Sequence, residues 1–205
     1  MHGVVKSTVC RSVNAVLDVI IDHLFQEIVR FPEDCSNLAI DFLRLGGFPF
    51  VCGCVDGTLI NIDAPRENES HFVDRYGNHS INTLMICGPD MNFFCVNPNW
   101  PGATHDARVL RNTIICKRFD EGWRPFPDAV ILGDSGYGAS DWLIPPVFNN
   151  PNNEAERRFN KHHKKTRRLI ECAYGILKER FPCLNHLRLQ PKKSREGHPR
   201  LRRTA

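Results

Sequence analysis

Residues 50–62 read FVCGCVDGTLINI, a run rich in β-forming residues with one acidic side chain, Asp56, near its centre. An acid between apolar residues in a core strand is costly unless it is paired or bound to a metal ion. The run therefore predicts a buried strand in which the Asp56 carboxylate has a partner. A purely structural role for this aspartate is the alternative.

Helical and strand patterns alternate around this run. Apolar residues recur at helical spacing over residues 8–30, with Ser7 and Thr8 as N-cap candidates, and a second helix is expected over 33–45. Further strands are expected over 79–87, 93–97 and 129–132, further helices over 106–118 and 154–180, a turn at 88–92 and a loop over 135–153. This order of elements predicts an α/β fold preceded by N-terminal helices.

The size and composition of the chain narrow its class. With 205 residues, 41% of them apolar, it can bury one sizeable core, so one globular domain is expected. It has no apolar run near the roughly 20 residues that span a bilayer, and its first residues lack the apolar stretch of a signal peptide. An intracellular protein is therefore predicted. The nine cysteines are an odd number without a Cys-x-x-Cys pair, which indicates reduced thiols, and Cys52 and Cys54 are expected on one strand face, poorly placed for zinc.

Positive charge is concentrated in two blocks. The net charge is only +4, but residues 157–168 hold seven Lys or Arg, together with His162 and His163, and residues 192–203 hold six more. Such blocks attract polyanions such as nucleic acids through counterion release, and they also serve as nuclear import signals. The alternative is a solvated helix face followed by a disordered basic tail, and the tail is interpreted in that way.

Three aspartates lie at junctions between apolar runs and turns or helices. Asp56 is in the central strand, Asp134 directly follows a short apolar strand, and Asp106 opens a helix. Hydrolysis of a phosphodiester with two metal ions needs carboxylates that converge within a few ångströms, and the carboxyl ends of strands are where α/β sheets hold ligands. Taken alone, Asp106 could be an acid that stabilises a helix N-terminus, and Asp134 could be a turn residue.

A fourth acid, Glu171, interrupts a mostly apolar stretch of the last helix, which is expected to be heavily buried there. The residues on its stripe, three, four or seven positions away, are Lys164, Arg167, Arg168, Gly175 and Lys178. Cations around an acid predict a site that a backbone phosphate approaches, and a mid-helix glycine, which costs about 1 kcal/mol relative to alanine, suggests a close approach at Gly175. The alternative is a set of salt bridges from Glu171 to Arg167 and Arg168.

Four segments carry a family resemblance. They are CVDGT at 54–58, PGATHDARVL at 101–110, LGDSGY at 132–137 and NKHHKKTRRLIECAYGILKERF at 160–181. In this order they resemble the PIF/Harbinger transposases and their domesticated nuclease relatives, which belong to the DDE superfamily, and the similarity extends over about residues 1–189. The resemblance implies an RNase H-like mixed sheet flanked by helices.

The resemblance also implies an activity, with Asp56, Asp134 and Glu171 as the catalytic triad and Asp106 as a fourth metal ligand. The expected cofactor is Mg²⁺ or Mn²⁺, and the expected reaction is hydrolysis of DNA phosphodiester bonds by a two-metal mechanism. His105 could orient a ligand, although a packed histidine is favoured. Eight basic side chains are the expected nucleic-acid contacts: Arg157, Arg158, Lys161, Lys164, Lys165, Arg167, Arg168 and Lys178.

The organisation implied by the family has three parts. Residues 1–47 are expected to be a helical remnant of a helix-turn-helix region, residues 48–189 the nuclease domain, and residues 190–205 a basic tail in place of a last core helix. The family further implies a Myb/SANT-like DNA-binding partner and a location in the nucleus, with the cytoplasm as a second location. Two alternatives stay open: a non-cutting DNA- or protein-binding module, and an inert truncated product.

Overall fold

The computed structural model describes residues 3, 5–147 and 151–188 of the chain. The helical segments are α1 (Lys6–Val19), a π-helical turn (Ile20–Leu24), α2 (Phe25–Ile28), α3 (Leu38–Gly46), α4 (Glu69–Phe72), α5 (Asp106–Arg111), α6 (Ile114–Asp120), α7 (Glu154–Arg180) and a 3-10 turn (Pro182–Asn185). The strands are β1 (Val51–Ile62), β2 (Ser80–Cys87), β3 (Phe93–Pro101), β4 (Val130–Leu132), β5 (Leu143–Ile144) and β6 (His186–Leu187). The expected basic tail at 190–205 lies outside the described residues.

The described strands form one mixed six-stranded sheet with β1 at its centre. Its order is β3-β2-β1-β4-β5, with β6 paired to β1 beyond the end of β4. The β1–β2 and β2–β3 pairs are antiparallel, whereas β4 and β6 run parallel to β1 and β5 runs parallel to β4. The expected α/β class is confirmed, and a mixed sheet flanked by helices and preceded by N-terminal helices is consistent with an RNase H-like fold.

Each face of the sheet packs against its own helices. On one face Cys52 and Val55 of β1 join a core with α5 and α6, and on the other Val51 and Cys54 join a core with α3 and α7. The expectation that Cys52 and Cys54 share a face is therefore wrong. The β1–β4 register shifts between Val51 and Gly53, and such an irregularity breaks the simple alternation of side chains. All nine cysteines are free thiols, as expected.

The first helical segment differs from its predicted form at both ends. It begins at Lys6 after Val5, which makes no side-chain cap, so Ser7 and Thr8 lie inside the helix rather than capping it. The regular helix ends at Ile28, two residues before the expected end. None of the residues from α1 to α2 is buried, so their apolar stripe is exposed to solvent in the described part of the chain. No described helix is long and apolar enough to cross a membrane.

Other boundaries moved for local reasons. The second helix begins at Leu38, later than expected, and ends at Gly46, one residue after the expected end. Gly47 follows it as the C-cap, with a φ of +79°, the left-handed conformation that glycine adopts easily. The helix expected over 106–118 is broken, because the Thr113 side chain caps a new helix by accepting the Cys116 N–H at 3.1 Å. The loop expected over 135–153 contains β5, and α7 begins and ends where it was predicted.

A buried histidine, His163, connects α7 to β5. Its Nε2 atom lies 2.8 Å from the carbonyl oxygen of Ile144, and its ring packs against the rings of Phe48 and Phe159. Only 1% of the residue is exposed. Burial lowers the pKa of His163 below its usual value, and the nearby Arg167 lowers it further against the opposing Ile144 hydrogen bond. The ring is therefore neutral in the folded protein near neutral pH.

We expect this histidine to make the fold sensitive to acid. The contribution of neutral His163 to stability is complete above the unfolded-state pKa of about 6.5. It is lost as the pH falls from that value through the lower folded-state pKa, because between the two pKa values only the unfolded chain takes up the proton. The loss approaches about 1.4 kcal/mol per pH unit in that window. Urea unfolding between pH 7.5 and 5 should give a shallower pH dependence for His163→Gln than for the unmutated chain. Exposed His71→Gln is the control, and equal slopes for all three proteins would contradict this prediction.

Candidate active site

The centre of β1 positions the first candidate acid. The Asp56 Oδ2 atom accepts a hydrogen bond from Arg167 Nη1 at 3.2 Å, and its Oδ1 atom accepts the Gly57 N–H at 3.0 Å. Burial raises the pKa of Asp56 to about 6, and the carboxylates of Asp134 and Asp106 add to that effect while Arg167 and the Gly57 N–H oppose it. The sequence-based expectation of a partnered carboxylate is confirmed, and the partner is an arginine of α7.

Asp106 begins α5, and its carboxylate lies directly against the backbone of Gly57. A side chain at Gly57 would collide with that carboxylate, so glycine is required here by a close approach. Asn82 of β2 orients the group by donating from Nδ2 to Asp106 Oδ1 at 2.5 Å and to the Thr104 carbonyl oxygen at 2.8 Å. Asn82 was not among the site residues expected from the sequence. Its amide lies near the start of a strand, SINTLMIC, whose later residues are apolar, and that was the signal that could have identified it.

Asp134 follows β4, which runs parallel to β1. Its Oδ1 atom accepts the Gly136 N–H at 2.9 Å, so the expected turn geometry is present as well as a position beside Asp56. Its carboxylate raises the pKa of Asp56, which places both groups in one electrostatic environment. The buried Tyr137 lies near the same acids: burial first, then Asp106, Asp56 and the other nearby groups, raises the pKa of its hydroxyl. Three of the four predicted acids, Asp56, Asp106 and Asp134, therefore influence one another electrostatically.

Glu171 takes a different position. Half of its side chain is exposed, at 51%, and it forms an ion pair with Arg167 one helical turn earlier. The expectation of a heavily buried turn is wrong, because only Ile170, Ala173 and Tyr174 of this turn are buried. No other described group approaches the position of a side chain at Gly175, so the close approach expected there does not involve the described chain. The salt-bridge alternative is present for Arg167, and no such ion pair is formed with Arg168.

A single guanidinium thus joins the two sides of the site. Arg167 contacts both Asp56 on β1 and Glu171 on α7, and only 18% of its side chain is exposed. Tyr174 also holds the strand against the helix by donating from its hydroxyl to the Asp56 carbonyl oxygen at 2.6 Å. Lys178 donates to the Leu59 carbonyl oxygen at 3.0 Å. These contacts align α7 along β1 at the level of the acids.

The donor chemistry of the site fits a divalent cation. Its acids offer carboxylate oxygens, the ligands that Mg²⁺ and Mn²⁺ prefer, and two buried polar atoms beside them, Tyr137 Oη and Asn82 Oδ1, have no hydrogen-bond partner in the described structure. The four acids do not converge as they stand, since no three His, Cys, Asp or Glu side chains among the described residues form a metal-binding group. The positive charge between Asp56 and Glu171 belongs to Arg167.

The other predicted residues lie around this centre. Apart from Arg167 and the half-buried Lys178, the predicted DNA contacts are exposed along α7: Arg157, Arg158, Lys161, Lys164, Lys165 and Arg168. Of these, Arg157 forms an ion pair within the helix, with its Nη1 atom 3.9 Å from Glu154 Oε2. His105 is exposed beside Asp106 rather than packed, so the favoured interpretation of that histidine is wrong.

Comparison with known proteins agrees with the motifs. The family model described as DDE superfamily endonuclease matches residues 55–203. The chain is 33% identical over 199 residues to "Putative nuclease HARBI1" of Homo sapiens, in an alignment that covers 94% of this chain and 56% of that protein. It is 28% identical over 210 residues to "Protein ALP1-like" of Arabidopsis thaliana, in an alignment that covers 94% of this chain and 50% of that protein. The chain thus spans about half the length of these curated relatives. No solved structure matches it.

We expect loss of the Arg167 guanidinium to destabilise the fold at neutral pH. Arg167→Met leaves the Asp56 carboxylate without its cation, which should reduce the free energy of unfolding by about 1 to 3 kcal/mol at pH 7.5. The reduction should shrink at pH 5, because the Asp56 pKa of about 6 leaves that group largely neutral there. Urea unfolding at the two pH values measures both effects. Arg168→Met, an exposed neighbour, is the control, and a reduction equal to that of the control would contradict the prediction.

Proposed function

This chain belongs to the DDE superfamily endonuclease family, and we propose that it hydrolyses phosphodiester bonds of DNA with divalent cations held by Asp56, Asp106, Asp134 and Glu171. The observation that supports this proposal most strongly is the electrostatic coupling of Asp56, Asp106 and Asp134. β4 pairs parallel to β1 just before Asp134, and the Asp106 carboxylate lies against Gly57, next to Asp56. Burial is the largest cause of the raised pKa of Asp56, and repulsion from the other two carboxylates adds to it. A cation bound between these carboxylates would relieve that repulsion.

The residues of the chain supply the binding and orientation. DDE superfamily endonucleases generally use divalent metal ions, and Mg²⁺ or Mn²⁺ suits an all-oxygen donor set. When bound, two such cations would activate a water molecule and stabilise the oxygen that leaves phosphorus. Asn82 orients Asp106, and Tyr174 holds the backbone of Asp56 in place. Fixed carboxylates lose little free energy to reorganisation when charge develops at phosphorus.

Arg167 has a proposed role of its own. Without a divalent cation, its guanidinium neutralises Asp56 and holds Glu171. For Glu171 to become a ligand, Arg167 has to release it. A guanidinium released beside the acids is suited to a DNA phosphate, which it can contact with two parallel hydrogen bonds. Arg167 would then have a role both without metal, as the partner of the acids, and with metal, as a contact of the DNA phosphate.

The exposed basic side chains of α7 are proposed to hold the DNA backbone beside the acids. Lys164, Lys165 and Arg168 are exposed on the helix that carries Arg167 and Glu171. Contacts of lysine and arginine with phosphates give affinity that does not depend on base sequence. Recognition of a target sequence by a Myb/SANT-like partner, and a location in the nucleus or cytoplasm, stay predictions.

A second candidate function is a binding module that keeps the fold without cutting. The pairing of Glu171 with Arg167, and the lack of a three-residue metal-binding group among the described residues, favour it. The two functions differ in what they require of the acids. A nuclease needs all four carboxylates, whereas a binding module needs only the fold and the cations of α7.

We expect the purified chain to nick supercoiled plasmid DNA with Mg²⁺ or Mn²⁺ and to lose this activity in EDTA. Asp134→Asn and Glu171→Gln should each slow nicking by at least about 100-fold, since each removes a negative charge that the bound cations require. Asp90→Asn, in the exposed β2–β3 turn, is the control. Agarose gel analysis of plasmid forms measures the rates.

Two results would count against the nuclease. Full nicking by Glu171→Gln would remove that residue from the site, and no nicking by the unmutated chain would favour the binding module. If the unmutated chain does not nick DNA, titration with Mn²⁺ tests whether the acids nevertheless bind metal. Metal bound to the folded state raises the melting temperature, so a rise that Asp134→Asn abolishes would still support the metal ligands.

We expect the basic face of α7 to determine how DNA affinity depends on salt. Replacing Lys164 and Lys165 with Gln should reduce the slope of log affinity against log salt by roughly 0.9 for each duplex phosphate that these side chains neutralise. Arg111→Gln with Lys117→Gln removes the same charge from α5 and α6, on the other face of the sheet, and is the matched control. Fluorescence anisotropy at several salt concentrations measures the slopes. Equal slopes for both double variants would mean that α7 is an ordinary solvated helix.

A further inference from the structure

An open groove begins at Asp106, one of the candidate acids. It has a volume of about 460 Å³, and its lining includes Gly57, Arg75, Tyr76, His105, Asp106 and Lys178. Because Asp106 is itself part of the groove wall, the groove is continuous with the candidate active site. The groove was not among the sites expected from the sequence.

The lining of the groove combines an aromatic ring with a cation. The Tyr76 residue is 69% exposed, although tyrosine usually buries much of its ring. The Arg75 guanidinium carbon lies 5.1 Å from the centroid of that ring. The pKa of Arg75 is raised, first by the Tyr76 hydroxyl and then by the carboxylates of Asp106 and Asp134, so this pair lies within the electrostatic field of the acids.

The turn that carries this pair is held rigidly. The buried Asp74 accepts the N–H groups of Tyr76 and Asn78 on Oδ1, at 2.9 and 3.1 Å, and the Ser80 hydroxyl on Oδ2 at 2.8 Å. Gly77 closes the turn at a φ of +80°, where glycine is favoured. An aromatic residue on a flexible loop would lose backbone entropy on binding, whereas the backbone of this turn is already held by hydrogen bonds.

The ligand that matches these groups is a nucleotide. An exposed aromatic face stacks on a nucleobase, and cations beside it take the phosphates on either side. Bases within a duplex are already stacked on their neighbours, so the ring can take only a base that is unpaired or turned out of the helix. We propose that Arg75 and Tyr76 form a nucleotide subsite for the unpaired base next to the phosphate held at the acids, with Lys178 as a further cation in the lining of the same groove.

This inference rests on the proposed function, because it takes DNA as the ligand, yet it is testable without catalysis. A 12-nucleotide single strand with one 2-aminopurine, in EDTA, should bind the unmutated chain with quenched fluorescence, since stacking quenches that base. Tyr76→Ala should weaken single-strand binding about tenfold and remove the quenching. Tyr76→Phe keeps the ring and should stay within about twofold of the unmutated chain. Binding of the matching duplex, which the α7 cations support, should be unchanged by either variant.

The outcomes separate the subsite from the nuclease. Equal single-strand affinity of Tyr76→Ala and Tyr76→Phe would overturn the subsite even if the chain nicks plasmid DNA. Loss of stacking only in Tyr76→Ala would support it even if no nicking is found. Free deoxyadenosine monophosphate is the second probe, and binding as tight as that of the strand would overturn the assignment to DNA. Because Tyr76 is exposed, we expect the two variants to have equal melting temperatures. Measuring these temperatures confirms that a difference in affinity does not come from unfolding.

Discussion

The contact of Arg167 with Asp56 is the interaction on which the arrangement of the site depends. Asp56 lies in the middle of the central strand, under the influence of two further carboxylates, and burial alone disfavours its charge. One guanidinium from α7 opposes both effects and also holds Glu171. A buried carboxylate without such a cation is destabilising, so the position of α7 on the sheet and the charge state of the site are determined together.

The rest of α7 reinforces this position at successive levels of β1. The Cys54 thiol donates to the Thr166 carbonyl oxygen at 3.6 Å, Tyr174 donates to the carbonyl of Asp56, and Lys178 donates to the carbonyl of Leu59. These groups follow the strand from one end of the acid site to the other. The helix therefore serves both as a wall of the core and as the support of the functional side chains, and its outer face is left to cations that point into solvent.

The same constraint shapes the proposed chemistry. In the structure the Arg167 guanidinium is the partner of Asp56 and Glu171. In the proposed function a divalent cation would take the place of this guanidinium, which would account for the lack of a metal-binding group among the described residues. The groove lined by Asp106 also contains Arg75 and Tyr76, the pair that we propose as a nucleotide subsite.

The sequence by itself determined the class of fold, the span of α7 and the identity of the candidate acids. These features are encoded locally: the periodicity of α7, the apolar run that ends at Asp134 and the lone acid of residues 50–62 are each visible within a few residues. Only the tertiary structure decided which groups meet. Arg167 and Asp56 are 111 residues apart, Asn82 reaches Asp106 from another strand, and the irregularity that separates Cys52 from Cys54 depends on pairing with β4. The two-residue strands β5 and β6 escaped prediction for the same physical reason: a segment that short has no periodicity and becomes a strand only when the sheet provides its hydrogen-bond partners.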